Sequence, residues 1–279
     1  MTVELFNKAC YECSRAVTIR YSTSFASSIK LLDTELRTPI FNIYGFVRLA
    51  DEIVDTFHQH DKPLLLQQFK EQTFDAIERG ISLNPILNSF QHTVNQYSIN
   101  HNLIYAFFKS MESDLIQNAY DKQGYDEYIY GSAEVVGLMC LYVFCEGDKA
   151  LYGKLQHSAR ALGAAFQKVN FLRDIKSDFS ELSRMYFPGC DFHNFTAGDK
   201  LQIEKDIEED FRNAFEGILQ LPMKAKFGVY VAYKYYYSLF NKIKSIQPAY
   251  ILQRRIRIPN YHKAYIVLSA GLKNRLRLI

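Results

Sequence analysis

Apolar residues recur with the 3.6-residue period of an α-helix along nearly the whole chain. The stretches that fit this period are residues 4–20, 39–58, 63–79, 101–120, 125–146, 148–178, 205–219, 223–245 and 261–275. Helix-stopping signals fall at residues 60–63, 82–85, 187–199 and 246–250, and no stretch alternates as a strand does. The pattern predicts an all-α fold. Since no linker or low-complexity segment divides the chain, we expect one domain over residues 1–279.

Charge is distributed unevenly along the chain, although the net charge is only +3. After Glu216 there is no Asp or Glu, whereas Lys and Arg occur twelve times, so the last part carries +12 and the first 216 residues carry −9. A basic segment of this kind indicates phosphate ligands, an anionic membrane surface or nucleic acid, or is simply a solvated surface. No nucleic-acid-binding motif accompanies it, and we therefore expect no nucleic-acid partner.

The cysteines, the amino-terminal sequence and the length of the apolar runs indicate the cellular compartment of the protein. Cys10 and Cys13 form a lone CxxC pair without a second pair or a His cluster, which disfavours zinc. The five cysteines are an odd count, and the amino terminus lacks the basic and apolar stretches of an export signal. No run reaches the roughly 18 apolar residues expected of a bilayer span. We expect a cytoplasmic protein, with peripheral contact at the inner face of the membrane.

The aromatic content is high, with 20 Tyr and 21 Phe but no Trp. This number of rings can fill a core, or it can line a large pocket.

Two predicted helices carry a similar polar face. On the first, Tyr44, Arg48, Asp51 and Asp55 fall within about 60° of one another at 100° per residue. On the second, the corresponding set is Gln167, Asn170, Asp174 and Asp178, with Arg173 beside it. Either face alone is what a solvated helix shows. Two faces that both end in Asp-x-x-x-Asp, each with an Arg nearby, favour a shared site.

Four carboxylates that converge across a cavity repel one another unless cations bind between them. Oxygen ligands at the mouth of a pocket favour Mg²⁺, which keeps several waters and is completed by substrate phosphates. Arginines and the basic carboxyl-terminal region can bind those phosphates directly. With aromatic walls, the arrangement indicates a diphosphate that carries a long apolar tail.

Five stretches together resemble the squalene/phytoene synthase family of head-to-head isoprenyl diphosphate synthases, and bacterial phytoene synthases in particular. They are YSTSF (21–25), YGFVRLADEIVD (44–55), YIYGSAEVVG (128–137), QKVNFLRDIKSD (167–178) and RMYFP (184–188). The resemblance covers nearly the whole chain. It implies the isoprenoid synthase helical bundle around a central apolar cavity.

The resemblance also implies roles for particular residues. The Mg²⁺ ligands would be Asp51, Asp55, Asn170, Asp174 and Asp178, holding two or three ions, with Mn²⁺ as a substitute. Tyr44 and Arg48 would join the aspartates in catalysis. Substrate contacts would come from Ser22, Ser24, Phe25, Tyr128, Gln167, Asn170, Arg173, Tyr237 and Arg255, although the alignment near Tyr237 allows a shift of one residue.

Two residues depart from the family pattern. Glu134 stands where the family usually has Gly, so we expect an acid in the pocket wall and an altered cavity shape. Glu52 replaces an Asp in the first acidic motif, where its size and charge should still support metal binding.

The implied reaction joins two identical prenyl diphosphates through a cyclopropylcarbinyl diphosphate. Two geranylgeranyl diphosphates would give phytoene, for carotenoid biosynthesis, without NADPH. The alternative is a C30 enzyme that joins two farnesyl diphosphates into dehydrosqualene or, with NADPH, squalene. Other classes remain: a non-catalytic assembly factor of the same fold, a head-to-tail prenyl synthase or terpene cyclase, and a purely membrane-binding helical protein.

Overall fold

The computed structural model describes residues 2–117, 119–180, 185–190, 195–253 and 255–276, and of residues 177–180 it describes the backbone alone. Helices make up this part of the chain, which contains no β-strand beyond one isolated bridge between Ala119 and Met185. The helices are α1 (Val3–Tyr21), α2 (Thr23–Ile29), α3 (Thr34–Asp55), α4 (Lys62–Arg79), α5 (Pro85–Tyr97), α6 (His101–Asp114), α7 (Lys122–Ile129), α8 (Val135–Cys145), α9 (Lys149–Ser180), α10 (Ala197–Ile218), α11 (Met223–Lys244), α12 (Pro248–Ile251) and α13 (Asn260–Arg275). A π-helical segment, Tyr130–Glu134, joins α7 to α8. The predicted all-α fold is confirmed.

Helix boundaries differ from the prediction where a turn signal is also a helix start. The segment at 82–85 was predicted to be a break, yet Asn84 caps α5 by accepting from the backbone N–H groups of Ile86 and Leu87, and Pro85 occupies the first turn. The prediction missed α5, and it also missed α2 and α12. It began α3 at Pro39, whereas Asp33 caps that helix and Pro39 lies inside it.

The long helix α9 packs against α8, α10, α11, α12 and the π-helical segment. Beside this group, α3 packs against α1, α5 and α8. Part of the aromatic content fills the core here, because the ring of Phe46 stacks on that of Phe90 at 3.8 Å and also contacts Phe69, Phe107 and Phe108. Other rings, such as those of Phe25 and Phe166, line a cavity instead.

Two glycines let the backbones of α8 and α9 touch. A Cβ on Gly163 would lie 2.5 Å from the carbonyl oxygen of Ala133, and one on Gly137 would lie 2.6 Å from that of Ala159. Neither position has room for a side chain. The π-helical segment and the start of α8 therefore lie directly on α9.

The stretch Lys122–Cys145 is long and apolar enough, by length and composition, to cross a membrane. The prediction concerned a continuous apolar run, and Glu134 interrupts this stretch, so the two findings do not conflict. However, 67% of its most apolar window is buried inside the protein. Its second part, α8, has no charged residue on any side, as is typical of a helix packed within a bundle, and it forms a wall of the core.

Candidate active site

A cavity of about 380 Å³ lies between α2, α3, the π-helical segment, α8, α9, α10 and α11. One end is apolar, with walls that include Leu32, Leu141, Phe144, Leu155 and Leu221. The other end contains carboxylates. The predicted bundle around an apolar cavity is therefore present.

Along α9, one helix face changes from apolar to polar. The lining residues follow helical spacing, and they are Leu155, Ser158, Ala159, Leu162, Gly163, Phe166, Gln167, Asn170, Phe171, Arg173 and Asp174. From Leu155 to Asp174 this face is about 28 Å long at 1.5 Å per residue. The first half suits a hydrocarbon, and the last two turns suit a charged headgroup.

The cavity face of α3 changes in the same direction, from Ile40 through Tyr44 and Val47 to Asp51 and Asp55. Burial raises the pKa of Asp51 to about 8, the charge of Asp55 adds to the shift, and Arg48 opposes it. Burial also raises the pKa of Tyr44, which therefore stays a neutral phenol. The two acidic stripes predicted from the sequence thus reach one cavity.

Asp174 is bound by two guanidinium groups. Arg173 donates from Nε to Oδ1 at 3.0 Å and from Nη2 to Oδ2 at 2.5 Å. Arg255, from the loop after α12, lies with its Nε 2.8 Å from Oδ1 and donates from Nη2 to Oδ2 at 3.3 Å. The basic carboxyl-terminal region therefore reaches Asp174, at the acidic end of the cavity, through Arg255, which is not itself among the lining residues.

The oxygen donors at this end fit a divalent cation. The Oδ1 atom of Asn170 is buried without a hydrogen-bond partner, in a residue that lines the cavity beside Asp174. Burial and the charge of Asp55 keep the pKa of Asp51 raised even with Arg48 beside it, so a further positive charge would be favourable there. Among the side chains that the structure describes, no three His, Cys, Asp or Glu gather closely enough to form a metal centre by themselves. The predicted ligand Asp178 has its side chain outside the described residues.

An aromatic cluster with one carboxylate also lies at this cavity, and little in the sequence pattern indicated it. The hydroxyl of Tyr128 donates to Oδ2 of Asp114 at 2.8 Å, and its ring contacts Tyr186 and Phe171, which stack on each other at 3.8 Å. Asp114 also raises the pKa of Asp51 through its charge. Tyr128 was predicted as a substrate contact, whereas Asp114, Phe171 and Tyr186 were not. Tyr186 lies within the quoted RMYFP stretch, but no pattern singled out Asp114.

Of the predicted contacts in residues 21–25, two line the cavity and one does not. Ser22 caps α2 by accepting from the N–H of Phe25 at 3.3 Å, and both residues face the cavity. The Phe25 ring lies 4.9 Å from that of Tyr44. Ser24 is not part of the lining, and its carbonyl accepts a hydrogen bond from Ser28 Oγ. The prediction for Ser24 is therefore wrong in this structure.

Arg48 and Glu52 pair with each other rather than line the cavity. Arg48 Nη2 donates to Glu52 Oε2 at 2.5 Å, its Nη1 lies 3.7 Å from Asp51, and its guanidinium lies over the Tyr21 ring. Neither residue is among those that line the cavity. A direct part in catalysis was predicted for Arg48 and metal binding for Glu52, and neither fits a residue outside the lining. Through these ion pairs, Arg48 and Glu52 help to fix the position of the Asp51 carboxylate.

Glu134 does not enter the cavity, contrary to the prediction. Its carboxylate accepts from Nε of Arg160 on α9 at 2.5 Å, and that guanidinium lies 5.2 Å from the centre of the Tyr130 ring. The wall at this level is formed by Ser132 and Ala133. The ion pair with Arg160 keeps the acid outside the apolar space.

The tyrosine predicted to contact the diphosphate is displaced by one position. Tyr236 lines the cavity and stacks on Phe166 at 3.8 Å, whereas Tyr237 lies on another face of α11 and contacts Phe211 and Tyr233. A shift of the alignment by one residue, considered from the sequence, would place Tyr236 in this role. Gln167 and Arg173 line the cavity as predicted.

Comparison with known proteins agrees with this geometry. Residues 18–262 match the sequence model of the squalene/phytoene synthase family. The chain is 25% identical to a phytoene synthase of Arthrospira platensis, over 95% of this chain and 94% of that protein, and 26% identical to a 4,4'-diapophytoene synthase of Staphylococcus haemolyticus, over 72% and 70%. A crystal structure of a dehydrosqualene synthase has the same fold, with a TM-score of 0.81 over 98% of both chains at 18% identity. Since the family match covers most of the chain, this protein belongs to the squalene/phytoene synthase family of prenyltransferases.

Proposed function

We propose that this head-to-head prenyltransferase joins two molecules of geranylgeranyl diphosphate into phytoene, through a cyclopropylcarbinyl diphosphate. The observation that carries the proposal is the lining of α9, which is apolar from Leu155 to Phe166 apart from Ser158, and polar from Gln167 to Asp174 apart from Phe171. A prenyl diphosphate has the same division between a hydrocarbon tail and a charged head. The acidic residues of α3 face the same cavity.

At the polar end, Arg173 and Arg255 are the groups suited to bind the diphosphate. Both now occupy the carboxylate oxygens of Asp174, and each guanidinium can present two parallel N–H groups to a phosphate instead. Mg²⁺ bound by Asp51, Asp55, Asn170 and Asp174 would supply Lewis-acid assistance to departure of the diphosphate. Arg48 and Glu52 hold Asp51 in place from behind.

The aromatic residues beside the polar end suit a reaction that passes through carbocations. A carbocation reacts at once with water, so the space around it must be dry. Tyr128, Phe171 and Tyr186 pack against one another there, and all three are buried. Their ring faces attract a cation by about 0.5–2 kcal/mol each without acting as nucleophiles. Burial keeps the Tyr128 phenol neutral by raising its pKa well above the usual value.

The C20 substrate is favoured over the C15 substrate by the near full-length match to a phytoene synthase. The C15 alternative has its own support in the similarity to a diapophytoene synthase. The hydrocarbon product would dissolve in a bilayer and not in water. We therefore also propose that the enzyme works in the cytoplasm, in peripheral contact with the inner face of the membrane.

The test is product analysis after incubation of purified protein and Mg²⁺ with geranylgeranyl or farnesyl diphosphate, each with and without NADPH. A C40 hydrocarbon formed without NADPH is the expected result. A C30 product from farnesyl diphosphate alone would move the substrate to C15, and NADPH dependence would identify squalene. If neither substrate gives a hydrocarbon, the non-catalytic alternative replaces the proposal.

A further inference from the structure

Helix α13 turns a row of large apolar side chains outward. Five residues of the helix and its carboxyl-terminal cap form this row, and each is between 59% and 78% exposed: Tyr261, Tyr265, Leu268, Leu272 and Leu276. At 100° per residue they fall within about 80° of one another. We call this row the α13 stripe. An aligned set of exposed leucines and tyrosines is not a feature of a helix that meets only water.

The stripe is not needed for packing of α13 on the rest of the protein. That packing uses the opposite side of the helix, where Ile266 and Ala270 are buried, and α11 is its neighbour there. The residues of the stripe are therefore available to a partner.

Positive charge surrounds the stripe. The chain has no Asp or Glu after residue 216, and the exposed residues Lys273 and Arg275 lie on either side of the stripe around the helix. A second cavity of about 740 Å³ opens between α11 and α13, and its lining includes Lys234, His262 and Lys273. Burial and the charge of Lys273 lower the pKa of Lys234, so an anion in this cavity would relieve the crowding of positive charge. An apolar row with basic borders has the character of helices that lie in a membrane interface.

We propose that the α13 stripe inserts into the interface of a lipid bilayer that carries anionic phosphate headgroups. The leucines enter the acyl boundary, Tyr261 and Tyr265 lie at the headgroup level, and the surrounding cations meet the phosphates. A second copy of this chain fits less well, because it would bring two segments of charge +12 together. The proposal rests on the peripheral membrane contact proposed above and names the surface that makes it, and its test does not depend on the condensation reaction.

The α13 stripe also lies close to the cavity of the candidate active site. Helix α11 lies between them, since its residues Gly228, Val229, Ala232 and Tyr236 line the cavity while α13 packs on its outer side. One helix is about 10 Å across. Lipid-soluble tails and products would therefore have a short path between the bilayer and the cavity.

The first experiment is vesicle sedimentation with the whole protein. One set of vesicles contains equal parts of phosphatidylglycerol and phosphatidylcholine, and the other contains phosphatidylcholine alone. The double variant Leu268→Gln/Leu272→Gln changes the stripe, and Leu83→Gln/Ile116→Gln is the matched control, because Leu83 and Ile116 are 93% and 82% exposed elsewhere on the surface. Wild type and control should bind the anionic vesicles in a salt-sensitive manner. The stripe variant should bind them at least about tenfold more weakly. Equal binding by both variants would overturn the proposal.

A second readout uses the absence of Trp from the chain. A single Leu268→Trp substitution should give an emission spectrum that shifts to the blue on addition of anionic vesicles, whereas Leu83→Trp should not respond. No shift at position 268 would contradict insertion of the stripe. If light scattering instead finds a wild-type dimer that Leu268→Gln/Leu272→Gln converts to a monomer, the occupant is a second copy, and the bilayer proposal fails.

Discussion

Arg255 and Asp174 form a bidentate ion pair across 81 residues of sequence, with Arg255 Nε 2.8 Å from Asp174 Oδ1 and Nη2 3.3 Å from Oδ2. The pair joins a loop of the basic carboxyl-terminal region to the acidic face of α9. Asp174 is a candidate ligand of Mg²⁺, and Arg255 is a candidate ligand of the diphosphate. The two side chains therefore neutralise each other's charge until Mg²⁺ and the diphosphate bind.

Arg255→Ala should separate substrate binding from metal binding. The KM for the prenyl diphosphate should rise about tenfold to hundredfold, because hydrogen bonds to charged groups contribute ~1.5–3 kcal/mol. The Mg²⁺ affinity measured without substrate should increase, since Asp174 loses a competing cation. Steady-state kinetics and calorimetric Mg²⁺ titration check the two effects. Lys224→Ala is the control, because Lys224 pairs with Glu35 and Glu146, whereas Arg255 pairs with Asp174. An unchanged KM would remove Arg255 from the substrate site.

Asp51→Asn should abolish turnover and yet stabilise the metal-free protein. The native pKa of about 8 lies above the usual value, so the native state holds a proton that the unfolded state releases between about pH 4 and pH 8. Wild-type stability should therefore fall as the pH rises through that window, and the advantage of the Asn variant should grow up to about pH 8 and then stay constant. Thermal melts in EDTA at several pH values check this. Glu78→Gln, an exposed change on α4, should show no such trend, and a flat difference for Asp51→Asn would refute the electrostatic account.

Tyr236→Leu and Tyr237→Leu compare two neighbours on one helix. Tyr236 lines the cavity and Tyr237 does not. Loss of the Tyr236 ring should lower kcat by about two- to thirtyfold, since a ring face stabilises a cation by ~0.5–2 kcal/mol. Tyr237→Leu should leave kcat near the wild-type value. Single-turnover measurements of product formation give the comparison, and a larger loss at position 237 would show that the assignment of the lining is wrong.

Ile218→Phe should shorten the apolar end of the cavity. Ile218 lies in the lining near the end of α10, so a larger side chain there takes space from the last part of a tail. The kcat/KM for geranylgeranyl diphosphate should fall more than that for farnesyl diphosphate. Ile207→Phe is the matched control, because Ile207 is buried on the same helix but does not line the cavity. An equal loss with both substrates would mean that Ile218 does not meet the tail.

The sequence predicted those parts of the site that lie at helical spacing. On α3 and α9 the same periodicity that buries one face also aligns the acids, so Asp51, Asp55, Asn170 and Asp174 could be assigned together. Asp114 could not be found in this way, because it is a lone acid at the end of α6, and only packing of α7 brings Tyr128 to it. The contact of Arg255 with Asp174 depends on a loop and has no local signal.

Two residues predicted to face the cavity, Tyr237 and Glu134, do not face it, because each step along a helix turns the side chain to a new direction. Within a run of three tyrosines, polarity does not distinguish Tyr236 from Tyr237, although each step turns the side chain by 100°. At Glu134 the π-helical segment changes the phase of the helix, so an extrapolated α-helix puts the wrong residue toward the cavity. The structure instead turns Glu134 to Arg160.

The direct contact between backbones at Gly137 and Gly163 restricts how this family member can be redesigned. Substitution of either glycine would push two helices apart, and neither residue has a side chain to trim, so the wall they form has a fixed width. New tail lengths or bulkier prenyl groups must be accommodated on α2, α10 and α11 instead, where the lining consists of exchangeable side chains such as Ile29, Ile218 and Val229. A mutant library for altered substrates should therefore vary those helices and keep both glycines constant.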